Sequence, residues 1–213
     1  PTSQTKRGEM ASFLVRTVDY ANIELKPFTP PKTSIPNVTD ALYDAGWDMK
    51  WHVTEDAKTL HLKGYSNNSL VGEYIKGNGK SLEGISIGMT KKQVEALTAG
   101  KVPQAIQYKD GYYRNTSTNE KITFESATRY VTVFFDIHNN HKVTSILAID
   151  KVKYSQKTFY YPASAALQES YEDIMIVLMN QTRKEFGIAA LVNSNDQWNL
   201  VARNHSQDMI NRN

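Results

Sequence analysis

RYVTVFFDIHNNHKVTSILAID, Arg129–Asp150, is the stretch on which the fold class turns. Aromatic and β-branched residues fill both halves, and Asn139 and Asn140 stand between them. Asparagine tolerates the left-handed backbone of a tight hairpin, whereas valine, threonine and phenylalanine fit a pleated, half-buried surface. The stretch therefore predicts a strand, a turn at Asn139–Asn140 and a second strand. KTLHLKGYSNNSLVGEYIKG, Lys58–Gly77, predicts the same arrangement around Asn67–Asn68. Val71 and Val143 each follow the second asparagine by three residues, so the two hairpins read as one unit used twice.

Between the hairpins lies GISIGMTKKQVEALTAGKVP, Gly84–Pro103. Thr90 and Gln93 have the spacing of a capping box, in which hydroxyl and amide each satisfy a free N–H at a helix start. Val94 and Leu97 supply the expected buried stripe, and Gly100 with Pro103 ends the helix. A short helix set among antiparallel strands makes an α+β module with two hairpin units.

The pattern changes on both sides of this module. In TKRGEMASFLVRTVDY, Thr5 is placed to cap a helix whose apolar positions are Met10, Phe13, Leu14 and Thr17–Val18. The following segment holds Pro27, Pro30, Pro31 and Pro36, which excludes helix and central strand and predicts a stiff linker. Beyond Tyr161–Pro162, the residues Tyr171, Met175, Leu178, Thr182 and Phe186 share a helical face that stops at Gly187. Ser194 and Gln197 form a second capping box, opening a helix whose buried side would carry Trp198, Val201–Ala202, His205 and Met209. Neither C-terminal helix can bury its apolar face alone.

Composition narrows the function. The chain has 213 residues, 40% hydrophobic and 22% charged, enough for a packed core. A net charge of +3 is too mild to argue for nucleic acid, though it tolerates an anionic surface such as a wall polymer. Cysteine is absent, which excludes a disulfide scaffold and thiolate zinc sites and leans toward export from a bacterium that makes few disulfides. No apolar run reaches the roughly 18–20 residues that span a bilayer. The opening PTSQTKRGEM reads as an internal cut, with no signal peptide.

LMNQTRKEFGIAALVNSNDQWNLVARNHSQDM, Leu178–Met209, resembles the opening of the CAP superfamily, the SCP-like extracellular domain. The matching positions are Asn180, Arg183, Gly187, Leu191, Ala202, Arg203, His205, Ser206, Asp208 and Met209, with Trp198 where the family usually has leucine. The resemblance implies an α-β-α sandwich whose cleft of histidines and acids, able in some members to hold a metal, lies beyond Asn213. Asn180, Arg183, His205 and Ser206 are then signature residues with structural roles. His205 shares its expected face with Trp198 and Met209 and has no neighbouring ligands, whereas a metal site needs three or four.

GISIGMTKKQVEAL with the aromatic strands after it resembles the CAP-associated N-terminal module that precedes CAP domains in Gram-positive secreted proteins. KRGEMASFLVRTVDY resembles the last helix of an S-layer homology domain, with Lys6, Arg7, Gly8 and Glu9 at its short motif and lysine in place of threonine. In that family the motif helps grip wall polysaccharide, so Arg7, whose guanidinium suits a carboxylate, and Glu9 are the candidate wall-binding residues. Glu9 also has a structural motive near a helix N-terminus.

Other candidates carry less. His52, His61, His138 and His141 have no ligand spacing, and the last two flank a turn and should be exposed. Asp110–Gly111 with Tyr112–Tyr113 reads as a turn beside an aromatic strand, core and rim rather than a sugar platform. The glycines before Thr90 lack the ending of a P-loop, and no serine sits in a nucleophile elbow.

The sequence therefore leads to an ordered expectation. Residues 1–20 are the last helix of an S-layer homology repeat, 21–40 a proline linker, 41–161 a CAP-associated α+β module and 162–213 the start of a CAP domain. Such a chain is a piece of a secreted, cell-wall-associated, Gram-positive (Bacillus-like) protein with a binding or presentation role. It has no catalytic residues and no cofactor of its own, a divalent metal entering only with a complete CAP domain. Its partner is cell-wall polysaccharide held through upstream repeats, with no nucleic acid and no membrane span. The alternatives are part of a CAP hydrolase with its cleft beyond residue 213, and a protein- or peptide-binding module that docks at exposed strand edges.

Overall fold

The computed structural model describes residues 42–55, 58–159, 162, 164–191 and 196–212. The expected N-terminal helix with Arg7 and Glu9, the proline linker and the Ser194 cap lie outside them. The chain divides into two compact units, Pro36–Leu191 and Pro1–Ile35 with Val192–Asn213.

The first unit is a mixture of helices and antiparallel sheet. Its main sheet takes strands β1 (Leu42–Asp44), β2 (Lys50–Glu55), β3 (Leu60–Ser66), β4 (Ser69–Lys76), β9 (Lys121–Glu125), β10 (Arg129–Asp136) and β11 (Lys142–Asp150). Their order is β1-β2-β3-β4-β11-β10-β9. Two meanders, β1 to β4 and β9 to β11, thus meet through their last strands, with Leu147 opposite Tyr74. Two short hairpins, β5 (Ser81–Leu82) with β6 (Ile85–Ser86) and β7 (Ala105–Tyr108) with β8 (Gly111–Arg114), complete the β structure. The helices are α1 (Lys91–Leu97), α2 (Lys151–Gln156) and α3 (Ala165–Glu185).

Both asparagine hairpins belong to this sheet. Asn67 and Asn68 have φ of 48° and 61°, the left-handed pair that a two-residue hairpin turn requires. The second connection is longer than Asn139–Asn140. Ladder pairing ends at Asp136↔Lys142, and the left-handed residues are Asn140 and His141. Asp136 explains the extra length, because its carboxylate accepts the His138 N–H at 2.8 Å and builds a turn before the asparagines are reached. His138 is exposed as expected, but His141 is half-buried.

Strand alternation separates two faces. Val131, Val133, Phe135, Val143, Ile146 and Ala148 turn toward one side, joined by Ile85 and by Val94 of α1. Tyr130, Leu147 and Ile149 turn toward the other, with Met49, Trp51, Val53, Leu60, Leu62, Tyr154 of α2 and Val177 of α3. A register shift beside Gly64 brings Val71 onto this second face, whereas Val143 lies on the first. The two hairpins share a sheet, but their matching valines serve opposite cores.

The Thr90–Gln93 capping box forms as expected, with Thr90 N–H donating to Gln93 Oε1 at 2.9 Å. Val94 is fully buried, but Leu97 is 50% exposed. The helix has only seven residues, and the inward position one turn after Val94 belongs to Thr98, whose hydroxyl donates to Val94 O at 2.9 Å.

In α3, capped by the Ser164 hydroxyl, the apolar stripe that the helix cannot bury alone is largely exposed. Tyr171, Met175 and Phe186 are exposed, and Leu167, Ile174, Val177, Leu178 and Gln181 turn inward. The helix carries two apolar stripes, and ion pairs accompany the packing of the inner one: Glu185 holds Lys76 at 3.1 Å and Lys184 pairs with Glu55.

The second unit contains one described helix, α4 (Asp196–Arg212), braced by an Asp208–Arg212 pair at 2.8 Å.

Candidate functional site

Two places on the first unit are built with more care than a core requires. One is an aromatic mount under the β7–β8 hairpin. Two-stranded hairpins are marginal alone, so this one needs a support. Tyr108 supplies it, meeting Tyr154, Phe159 and Tyr113 edge-on at 5.1, 5.1 and 5.3 Å between ring centroids. Tyr113 stacks on Phe159 at 4.1 Å, and Trp47 meets Tyr154 at 4.9 Å. Burial, with Tyr130, Asp110 and Tyr113 nearby, pushes the Tyr108 hydroxyl up to about 12, and burial also raises Tyr154.

Asp110 ties the turn to this mount. It accepts from the Tyr113 hydroxyl at 2.8 Å and from the Phe159 N–H at 3.0 Å. Desolvation alone would raise its carboxyl, but these donated hydrogen bonds outweigh it and hold the group below the usual carboxylate range. Lys153 sits buried on the same side of the sheet. Its ammonium donates to Ser66 Oγ at 2.6 Å and to Trp47 O at 3.5 Å, joining α2 to the first asparagine hairpin.

The other place is the C-terminal end of α3. Asn180 clamps Leu191 through both amide atoms, Nδ2 donating to Leu191 O at 3.0 Å and Oδ1 accepting from Leu191 N at 2.6 Å. Arg183 Nε donates to Ala189 O at 2.6 Å. Gly187, at φ 65°, reverses the chain between them. These contacts fold the loop after α3 back along the helix. Gln181 beside them is fully buried, and its amide has no hydrogen-bond partner among the described residues. On the outer side of α3, Met175, Met179 and Phe186 form an exposed apolar stripe, Phe186 being 72% exposed, while Tyr171 at its start donates its hydroxyl to Ala45 O at 3.3 Å.

The structure thus brings Asn180 and Arg183 together around one loop. Ser206 lies on α4, its hydroxyl donating to Ala202 O at 3.1 Å, and His205 is half-buried on the same helix. Arg7 and Glu9 lie outside the described residues. Among those residues, no three histidine or acidic side chains converge where a metal could be held, and no helix is long and apolar enough to cross a membrane.

Sequence reading missed a charged cluster on the aliphatic side of the sheet. Arg129 binds Glu73 at 2.6 Å, Asp150 at 3.0 Å and Glu83 at 3.6 Å, and Glu73 also meets His61 at 3.3 Å. These residues lie far apart in sequence, so only strand pairing makes them neighbours. Burial lowers His61 more than the Glu73 carboxylate raises it. The cluster bolts β3, β4, β10 and β11 together.

The first unit is a small α+β module, a sheet of two antiparallel meanders with helices packed on it. The CAP-associated N-terminal family matches residues 42–160, more than half of the chain, and the chain belongs to that family. Two solved structures share its fold. An extracellular protein containing a SCP domain from Bacillus anthracis str. Ames is 15% identical, with a TM-score of 0.62 over 89% of this chain and 73% of that one. A cysteine-rich secretory protein from Staphylococcus aureus subsp. aureus Mu50 is 16% identical, with a TM-score of 0.56 over 72% of this chain. The chain spans 57% of the staphylococcal protein's length. No curated protein matches the sequence.

Proposed function

We propose that this chain is part of a secreted, wall-associated CAP protein, in which the α+β module holds and presents a CAP domain and performs no chemistry itself. The observation that carries this reading is the two-sided helix α3. Its inner side is packed on the module and pinned by Lys76–Glu185, while its outer stripe of Met175, Met179 and Phe186 is exposed. An apolar stripe of this length on a helix fixed to a rigid sheet suits a second packed body. That helix also carries Asn180 and Arg183, the first signature positions of the CAP resemblance.

The reading assigns structural roles to Asn180, Arg183, His205 and Ser206, and wall-polysaccharide contact to Arg7 and Glu9 within upstream S-layer homology repeats. Any metal would belong to a complete CAP domain. An extracellular location accords with one structural neighbour being an extracellular protein and the other a secretory one, and with the absence of cysteine.

The test is a Met175→Glu, Phe186→Glu double substitution in the full-length secreted protein. Presentation through α3 predicts an unchanged melt for the module and rapid proteolysis of the CAP domain beyond Gly187. Unchanged protease resistance would refute the docking role of the stripe.

A further inference from the structure

Two strand edges of the first unit are occupied by neighbouring backbone. Along β9, Thr118 N–H donates to Lys121 O, Asn115 Nδ2 to Thr123 O and Glu125 N–H to Lys101 O, each at 2.9 Å. The outer side of β7 is closed at its end by Lys109 N–H donating to Lys157 O at 2.9 Å. The outer edge of β8 differs. The hairpin pairs Tyr108 with Gly111 and Ile106 with Tyr113, and Asn115 N–H donates to Gln104 O at 2.9 Å beyond them. In an antiparallel pair, successive residues aim their N–H and C=O alternately at the partner and away from it. With Gly111, Tyr113 and Asn115 turned to β7, the backbone groups of Tyr112 and Arg114 point outward.

The side chains at this edge share a chemistry. Tyr112 is 73% exposed, Arg114 and Lys109 are exposed, and neither cation forms an ion pair among the described residues. Beneath them Tyr108, Tyr113 and Phe159 interlock, and Asp110 fixes the turn, so the edge is rigid before anything binds. A pre-ordered edge loses little entropy on pairing. We propose that the outer edge of β8 accepts an extended, acidic peptide segment as an added strand. The ladder forms on the N–H and C=O groups of Tyr112 and Arg114, the Tyr112 ring covers one peptide side chain, and peptide carboxylates meet Arg114 and Lys109. Two copies of this chain paired edge to edge would bring like cations together, which favours an acidic partner over self-pairing. The inference concerns the module alone and stands apart from the presentation role of α3.

The experiment titrates the whole 213-residue chain, labelled with ¹⁵N, with a short synthetic peptide alternating valine and glutamate, and with its lysine-for-glutamate counterpart. The acidic peptide should shift the Tyr112 and Arg114 amides and bind at least about tenfold more tightly than the basic one. Arg114→Glu should erase or reverse that preference. Tyr112→Pro removes an outward N–H that the β7 ladder does not use, and should abolish binding, whereas Tyr112→Ala should retain most of it. Should Tyr112→Pro unfold, the charge reversal at Arg114 decides alone. Equal binding of both peptides, shifts centred elsewhere, or concentration-dependent self-pairing through the Tyr112 and Arg114 amides would each overturn the proposal.

Discussion

The side of the main sheet under α1 and the side under α2 and α3 come from the same strands, yet they bury different things. Under α1 lie Val94, Ile122, Phe124, Val131, Val133, Ile146 and Ala148, nearly all aliphatic. The other side holds Trp51, Tyr74, Tyr108, Tyr130 and Tyr154, together with the buried polar groups of Lys153, Asn180 and Gln181. A close-packed aliphatic layer contributes stability and little else. Aromatic rings with polar tips set directions, and buried amides and ammonium groups are costly unless they position something. The first side is the foundation. The second positions the β7–β8 hairpin and α3, the two elements that face outward.

The contrast can be broken most severely at the foundation. Ile146 is fully buried at the middle of β11, and Ile146→Ala should cost about 3–4 kcal/mol, read from urea unfolding. A loss under about 1 kcal/mol would mean that the aliphatic layer is not the main source of stability. On the aromatic side a smaller loss comes from adding one carbon. A Cβ at Gly64 would stand 2.6 Å from Met49 Sδ and 2.8 Å from Trp51 Cζ3, so Gly64→Ala should cost about 2 kcal/mol. Tryptophan fluorescence should shift with it.

Alkali should separate the two sides. The Tyr108 hydroxyl is raised in the folded protein to about 12 from an unfolded value near 10. A raised folded value stabilises fully below the unfolded one, so this contribution is lost as pH rises from about 10 toward about 12. Phenolate absorbance for the buried tyrosines should therefore appear together with loss of near-ultraviolet ellipticity, and a Tyr108→Phe variant should shed part of the dependence. Early ionisation without structural loss would contradict the burial of this cluster.

The smallest effect is expected at Lys153. Lys153→Met keeps the length of the side chain and removes a buried charge together with its bonds to Ser66 and Trp47. These contributions oppose one another, and thermal melts should move by no more than about 1 kcal/mol equivalent. A loss several times larger would make Lys153 an anchor on which the hairpin depends.

What was legible in the sequence follows the same division. Both hairpins, the Thr90–Gln93 capping box and the burial of Val94 follow from local rules, since turn chemistry and period act within a few residues. Leu97 was misjudged because periodicity marks a face but cannot know that a seven-residue helix runs out and that Thr98 takes the inward place. For α3 the sequence marks an apolar face without saying what covers it, because the inward residues Ile174, Val177 and Leu178 meet strands about a hundred residues away. Arg129 with Glu73, and Lys153 with Ser66, are non-local in the same way and have no signature in sequence. Asn180 and Arg183 were found only because their spacing matches a known pattern.

The central claim, that the outer stripe of α3 is covered by the rest of the CAP domain this helix begins, can be read directly from methionine oxidation. Met175 is 57% exposed and Met179 44% exposed, whereas Met49 is buried in the module and serves as an internal reference. With dilute peroxide and mass spectrometry, Met175 and Met179 should oxidise quickly in the 213-residue chain and slowly in a chain extended through a complete CAP domain, with Met49 slow in both. Equal oxidation of Met175 and Met179 in the two proteins would show that nothing packs on the stripe, and would contradict the account.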